Sequence, residues 1–304
     1  MHLIRGLHNL KKLNGCVLTI GNFDGVHSGH QEIIRRLTAK AKELDVPSVV
    51  ISFSVTPQTF FGRPKARLSN FRDKHILLES LGVDKHLLIR FNKTFSETSA
   101  NSFIEEIIMG RLNARYCIIG DDFRFGKGRL GDFKLLEKYA KSGGFSADKL
   151  GDIQIKDQRV SSSAIRNCLA LGEFDKAEQL LGRPYSISGL IAHGAKQGRT
   201  IGFPTINIGI RRNLSPVLGV FAVLVDINSV TYYGVCNVGK RPTVGAEKTL
   251  LEVFLFDFDQ EIYGEHATVT FKYRVREEKK FASFDELKIQ IAEDVKSAKR
   301  FFKI

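Results

Sequence analysis

The chain has 304 residues, 43% of them apolar, a length that favours two domains with separate cores over one. Its formal charge of +13 is spread over both parts, with 28 Lys and Arg against 20 Asp and Glu in residues 1–182 and 18 against 13 in 183–304, and no block of five like charges. So diffuse a field suits an enzyme that steers polyanionic nucleotides inward, and without interleaved aromatic and basic residues no nucleic-acid partner is expected. There is no run of eighteen apolar residues and no signal-type start, so no membrane span or export is expected. The four cysteines, Cys16, Cys117, Cys168 and Cys236, are scattered without a CxxC pair, which argues against zinc and disulfides and for a reducing cytoplasm.

The first clear element is the apolar run Cys16 to Ile20, too short for a helix and bounded by Gly15 and Gly21, which reads as a central strand. The segment Gly21-Asn22-Phe23-Asp24-Gly25-Val26-His27-Ser28-Gly29-His30 follows, and a helix from near Ser28 to Leu44 carries Ile33, Ile34, Leu37 and Ala41 as its stripe. His27 and His30, three apart, share one side of its first turn. The unpaired N–H groups and positive dipole end of that turn attract anions, two imidazoles can donate to phosphate oxygens, and Gly29 lets a ligand approach the backbone. Alone, an HxGH is equally consistent with two surface histidines at a helix cap.

Strands and helices then alternate: strands at Val49 to Phe53, His86 to Phe91 and Tyr116 to Ile119, helices at Lys74 to Leu81, Ala100 to Met109 and Phe133 to Lys141. This pattern predicts a doubly wound parallel α/β sheet, with ligands at the carboxyl ends of its strands. Gly120-Asp121-Asp122-Phe123-Arg124-Phe125-Gly126 falls at such an end, and Ser161-Ser162-Ser163 opens a helix with Arg166 close behind. A short helix over Gly172 to Leu181 closes this half.

These segments together resemble the HxGH nucleotidylyltransferases, in the FMN adenylyltransferase branch. The resemblance implies that His27, His30 and Arg166 act on the transferring phosphates. It also implies that Gly21, Asn22, Phe23, Asp24, Gly29, Ser161, Ser162 and Ser163 bind the nucleotide, and that Phe53, Pro57, Asp122, Phe123 and Arg124 bind FMN. Ser163 stands where the family's ISSTxxR motif has Thr. Where the family usually shows Pro-His-Pro, this chain has Val55-Thr56-Pro57.

From Gly182-Arg183-Pro184 onward the texture changes to short β-branched runs at Ser188 to Ala192, Val220 to Ile227, Thr231 to Val235, Leu251 to Phe256 and Ala267 to Tyr273. They predict a small antiparallel β-barrel. One amphipathic helix follows over about Phe284 to Phe302, with Leu287, Ile291, Val295 and Ala298 on one face. The run His193 to Asn207 holds three glycines, Lys196, Arg199 and the tetrad Pro204-Thr205-Ile206-Asn207. Glycines admit phosphates to the backbone, and Thr205 and Asn207, two apart on an extended segment, offer oxygens on one side to a hard cation such as Mg²⁺.

This half resembles riboflavin kinase, whose GFPTxN motif appears here as Gly202 to Asn207. The likeness continues through Gly219-Val220-Phe221, Asn237, Leu251-Glu252-Val253, Arg276 and Glu278. It implies Glu252 as general base, Thr205 and Asn207 on the metal, and Gly194, Lys196, Gly198, Arg199, Gly202, Phe203 and Pro204 around the nucleotide. Asn237, Arg276 and Glu278 would contact flavin, and Phe221 replaces a usual tyrosine. The two halves stand in the order found in the bifunctional prokaryotic riboflavin kinase/FMN adenylyltransferase family. That order implies an adenylyltransferase domain at 1–182 and a kinase domain at 183–304, using ATP, riboflavin and FMN with Mg²⁺, making FAD, and needing no obligatory protein partner. The alternatives weighed are a riboflavin kinase with a weak adenylyltransferase, a transferase for another phosphate substrate, and a basic nucleic-acid-binding regulator.

Overall fold

The computed structural model describes residues 1–156, 158–192, 203, 205–210, 214–243, 246–260 and 262–304. The chain divides into two compact units, Met1–Lys65 with Phe71–Ser161, and Ala66–Asn70 with Ser162–Ile304. Helices α7 (Ser162–Leu171) and α8 (Phe174–Leu181) therefore belong by compactness to the second unit.

The first unit is a six-stranded sheet in the order β1-β4-β3-β2-β5-β6, every pairing parallel. Its centre is β2 (Cys16–Ile20), buried at every residue and flanked by β3 (Ser48–Phe53) and β5 (Ala114–Gly120), with β4 (Lys85–Ile89) beyond β3. A parallel strand covered by helices on both faces needs a continuous apolar run, which is what these segments supply. The edges escape a periodicity argument: β1 (His2–Arg5) is four residues long with only Ile4 buried, and β6 (Ser146–Leu150) carries mostly exposed, polar residues. Helix α1 (Ser28–Glu43) buries Ile34, Leu37 and Ala41 against one face of the sheet, as its stripe predicts. Behind β3 come α2 (Pro57–Phe60) and α3 (Phe71–Ser80), and behind β4 comes α4 (Lys93–Glu97). The helix expected from Ala100 starts as α5 (Ala100–Ser102), capped by Ser99, and continues as a π-helix over Phe103–Arg111. Gly110 accommodates that wide turn, since a Cβ there would lie 3.0 Å from the Glu105 carbonyl oxygen. Helix α6 (Phe133–Gly143), capped by Asp132, ends on left-handed Gly144.

Two short strands of the chain, β7 (Gln154–Ile155) and β8 (Gln158–Arg159), pair antiparallel with each other. The second unit is a closed antiparallel barrel in the order β10-β13-β12-β11-β14-β9. Its strands are β9 (Ser186–Ala192), β10 (Thr205–Ile208), β11 (Gly219–Ile227), β12 (Val230–Thr243), β13 (Ala246–Leu255) and β14 (His266–Arg276). Alternation fixes the two faces. Phe221 and Phe271 are fully buried, with ring centroids 5.3 Å apart and Phe174 against both, so the tyrosine-to-Phe221 exchange fills a core rather than facing a ligand. Val220, Ala222, Val235 and Phe256 sit on the opposite face and pack beneath Ala298 of the last helix, Phe284–Phe302.

Candidate active sites

In the first unit the strand order reverses direction at β2, because successive strands β2, β3 and β4 run one way and β5 and β6 lie on the other side. In open α/β sheets that switch point is where a crevice forms. The turn Gly21 to His27 leaves the carboxyl end of β2 there. His27 is itself the cap of α1: its Nδ1 accepts the His30 N–H at 3.3 Å, and the two rings stack with centroids 3.6 Å apart. Phe23 and Val26 hold φ of 47° and 41°, left-handed values that bulky and β-branched residues avoid. Both side chains are buried in the α1 core, and that packing offsets the strain. Phe23 therefore lends the turn its backbone while its ring serves the core, 5.0 Å from His30. Burial, then His27, then the Lys74 ammonium hold His30 well below the usual imidazole range, so it is neutral at pH 7. Its Nδ1, with Thr19 Oγ1 and Asn22 Oδ1, is buried without a hydrogen-bond partner among the described residues.

Gly21 and Asn22 border a cavity of about 830 Å³ that also takes in Phe53, Pro57, Phe123 and Arg124, with Asp122 at its wall. Phe91 and Phe95, which sequence reasoning missed, meet Phe53 edge-on or tilted at 5.9 Å, so an aromatic wall faces polar groups from the β5 end. Arg63 and Arg129 were also missed, since nothing local marks a surface arginine as facing a cavity. The loop after β5 has its own reasons for its residues. Phe125 is buried and bridges Gly131, and left-handed Gly126 passes so near α5 that a Cβ would lie 2.6 Å from the Ala100 Cα. Asp122 pairs with Arg159, which also meets Asp152 at 2.9 Å. At the family's usual histidine position, Thr56 caps α2, its hydroxyl accepting the Thr59 N–H at 3.3 Å.

Ser161 ends the first unit, and Ser162 and Ser163 begin α7 in the second. One turn further, Arg166 Nε donates to the Ala66 carbonyl at 2.5 Å.

In the barrel, strand register builds a row. Asn207 of β10 lies opposite Glu252 of β13, Glu252 opposite Asn237 of β12, Asn237 opposite Val220 of β11, and Val220 opposite Arg276 of β14. Directly opposed residues point to one face, so an amide, a carboxylate, a second amide and a guanidinium stand in line under the last helix. Thr205, two residues before Asn207, joins that face. A cavity of about 290 Å³ gathers Phe203, Thr205, Asn237, Glu252, Arg276 and Glu278, closed on one side by Leu287 and Ile291. Asn207 is buried and does not line this cavity. Glu278 leans over Gly239, where a Cβ would meet its Oε1 at 2.5 Å. The neutral oxygens of Thr205 and Asn207 fit a hard cation whose remaining ligands come from phosphates. Sequence reasoning missed Asp294, buried in the last helix, whose carboxylate accepts from Arg276 Nε at 2.9 Å and Nη2 at 2.8 Å. An acidic residue within an apolar stripe was the available signal. Gly194, Lys196, Gly198, Arg199, Gly202 and Pro204 lie outside the described residues.

The sequence model of the FAD synthetase family matches residues 9–164, and that of riboflavin kinase matches 181–302. The chain belongs to the bifunctional riboflavin kinase/FMN adenylyltransferase family. Two relatives of that name are similar over nearly their whole lengths. The Haemophilus influenzae protein is 48% identical over 306 residues, covering 99% of each chain. The protein of Escherichia coli strain K12 is 43% identical over 307 residues, covering 99% of this chain and 98% of its own. A solved Streptococcus pneumoniae structure, titled a macrolide-efflux protein, superposes with a TM-score of 0.81 at 29% identity, covering 98% of this chain and 99% of that one. Both family segments thus lie in one chain, in the order of those relatives, and no described helix is long and apolar enough to cross a membrane.

Proposed function

We propose that this chain converts riboflavin to FAD in two transfers, with a kinase domain over 183–304 and an adenylyltransferase domain over 1–182. The observation that carries the reading is the barrel row, which sets the Glu252 carboxylate between two amides at the edge of a cavity. Glu252 takes the proton of the ribityl 5′-hydroxyl as that oxygen attacks the γ-phosphorus of ATP; FMN forms and ADP leaves. Thr205 and Asn207 would hold the Mg²⁺ that accompanies ATP, and that ion would supply neutralisation of charge on the transferring phosphates. Positioning supplies most of the acceleration, and base catalysis adds about 10²- to 10⁴-fold. Asn237, Arg276 and Glu278 orient the flavin. Gly194, Lys196, Gly198, Arg199, Gly202, Phe203 and Pro204 take the nucleotide by their match to the kinase motif.

In the α/β unit the FMN phosphate attacks the α-phosphorus of a second ATP and expels pyrophosphate, forming FAD. The attacking oxygen is already ionised, so no protein nucleophile is needed. His27, His30 and the first turn of α1 stabilise charge on the phosphates. Ser161, Ser162, Ser163 and Arg166 are assigned to nucleotide phosphate on the strength of their motif alone. The aromatic cavity with Phe53, Pro57, Phe123 and Arg124 suits the planar flavin, and Gly21, Asn22, Asp24 and Gly29 the adenylyl group. Neither reaction calls for nucleic acid, membrane or a protein partner. Four free, buried cysteines suit a reducing cytoplasm.

Incubation with riboflavin and MgATP, followed by chromatography, tests the reading. FMN that rises and then gives way to FAD is expected; FMN alone would leave a kinase, and no flavin nucleotide would overturn the proposal. His30→Ala is expected to lower FAD formation about 100-fold while FMN formation stands. Equal loss of both products would refute separate sites.

A further inference from the structure

Helix α3 carries a lysine where its fold asks for an apolar residue. Lys74 and Leu78, four apart, are the two buried residues of that helix. Burying an ammonium is among the costliest substitutions a core can carry, and such a group is kept where its charge or its hydrogen bonds are used. Lys74 is 7% exposed, and its Nζ donates to the main-chain carbonyl of Asn22 at 3.1 Å. Asn22 opens the turn that leaves β2 at the switch point and borders the 830 Å³ cavity. The same turn holds left-handed Phe23, Gly25 and Val26 and ends in the His27 cap. Three buried polar atoms without partners among the described residues, Thr19 Oγ1, Asn22 Oδ1 and His30 Nδ1, belong to this strand, turn and helix. The Lys74 donor joins this strained turn to α3, an element outside it, at the point where the chain leaves β2.

We propose that Lys74 is a positioning residue for adenylyl transfer. Its ammonium ties the Asn22 carbonyl, and with it the strained turn carrying His27 and His30, to α3, and sets a buried positive charge behind the corner where phosphate charge develops. The proposal rests on the reading that this turn performs adenylyl transfer. It divides the work: Lys74 supplies fixed charge from behind, and a neutral His30 supplies a directional donor in front. The titratable groups that bear on His30 are His27, stacked on it from the same helix end, and Lys74 from α3. Removing Lys74 therefore lets His30 take up a proton at higher pH.

The test is the pH profile of FAD formation from supplied FMN and MgATP, for the full chain and for Lys74→Met and Lys74→Gln. Met removes the charge and the donor; Gln removes the charge but keeps a donor for Asn22. Both variants are expected to move the acid limb of kcat/KM to higher pH, since each removes a positive charge that bears on His30. Lys74→Met is also expected to lower kcat on the order of 10-fold, more than Lys74→Gln, with riboflavin phosphorylation by the same preparation unchanged. Partial unfolding lowers the amplitude of such a profile but leaves its midpoint in place. An unchanged midpoint in either folded variant overturns the proposal while unmodified protein still makes FAD. Failure of the unmodified protein to make FAD instead strikes the reading beneath it.

Discussion

The histidine corner of the α/β unit and the cavity of the barrel, the two sites proposed for the two transfers, differ in construction. Gly21 to His30 is one unbroken segment in which a strand end, a strained turn and a helix start set every group. The barrel row joins residues from four separate strands, with Val220 of a fifth between them, and exists only through register. A local corner tolerates change in distant parts of its sheet. A row fails as a whole when one strand slips, because a one-residue shift turns its side chains to the other face.

The strongest way to break this comparison is to remove a group whose place the row alone explains. Glu252→Gln keeps shape and strand pairing and loses only the base. Riboflavin phosphorylation is expected to fall about 10²- to 10⁴-fold, while FAD formation from supplied FMN continues at its former rate. A kinase that keeps a third or more of its activity would remove Glu252 from the chemistry.

A smaller effect tests whether the row extends to the last helix. Arg276 spends two of its nitrogens on Asp294, which also accepts from Gln290 at 3.1 Å. Asp294→Asn leaves a partly buried guanidinium without its counter-charge, at a cost of roughly 2 kcal/mol to the barrel. With Arg276 no longer held, KM for riboflavin is expected to rise about tenfold and kcat to change less, since orientation of the flavin is lost rather than the base. Steady-state kinetics and a thermal melt check both parts; an unchanged KM in a folded variant would detach Asp294 from the site.

The same contrast governs how far the sequence could be read. The corner was legible because its groups are contiguous, and the β-then-α rhythm of the first unit was legible because its central strands are continuous apolar runs. Edge strands β1 and β6 were not, since a strand covered on one side by little carries polar residues such as Ser146, Asp148 and Lys149. Thr205 and Asn207 could be placed on one side of a strand by spacing. No spacing could place Glu252 opposite Asn207, because that needs the closure of β13 beside β10. Lys74 and Asp294 were passed over for one reason: a charge at a core position of a helix looks like noise in an apolar stripe until its partner, on another element, is known.

Acid exposes a last difference, smaller in effect and specific to the α/β unit. On the α3 side of its sheet, fully buried His86 meets Ser52 through Nε2 at 2.7 Å and His75 through Nδ1 at 3.1 Å. Burial, then Lys74, then His75 push His86 from 6.5 down to about 3, and burial lowers His75 as well. The folded-state value lies below the unfolded one, so between them the unfolded chain binds more protons. Stability is therefore complete above about pH 6.5 and is lost as pH falls toward 3. From pH 6.5 to 5, His86 alone accounts for about 2 kcal/mol. Urea unfolding, followed by circular dichroism and by loss of adenylyl transfer, is expected to show this decline in the unmodified protein and a visibly shallower one in His86→Gln, whose amide does not titrate. Equal slopes would mean that acid acts on the α/β unit through other groups, His30 first among them, since it too is held neutral by burial and by Lys74.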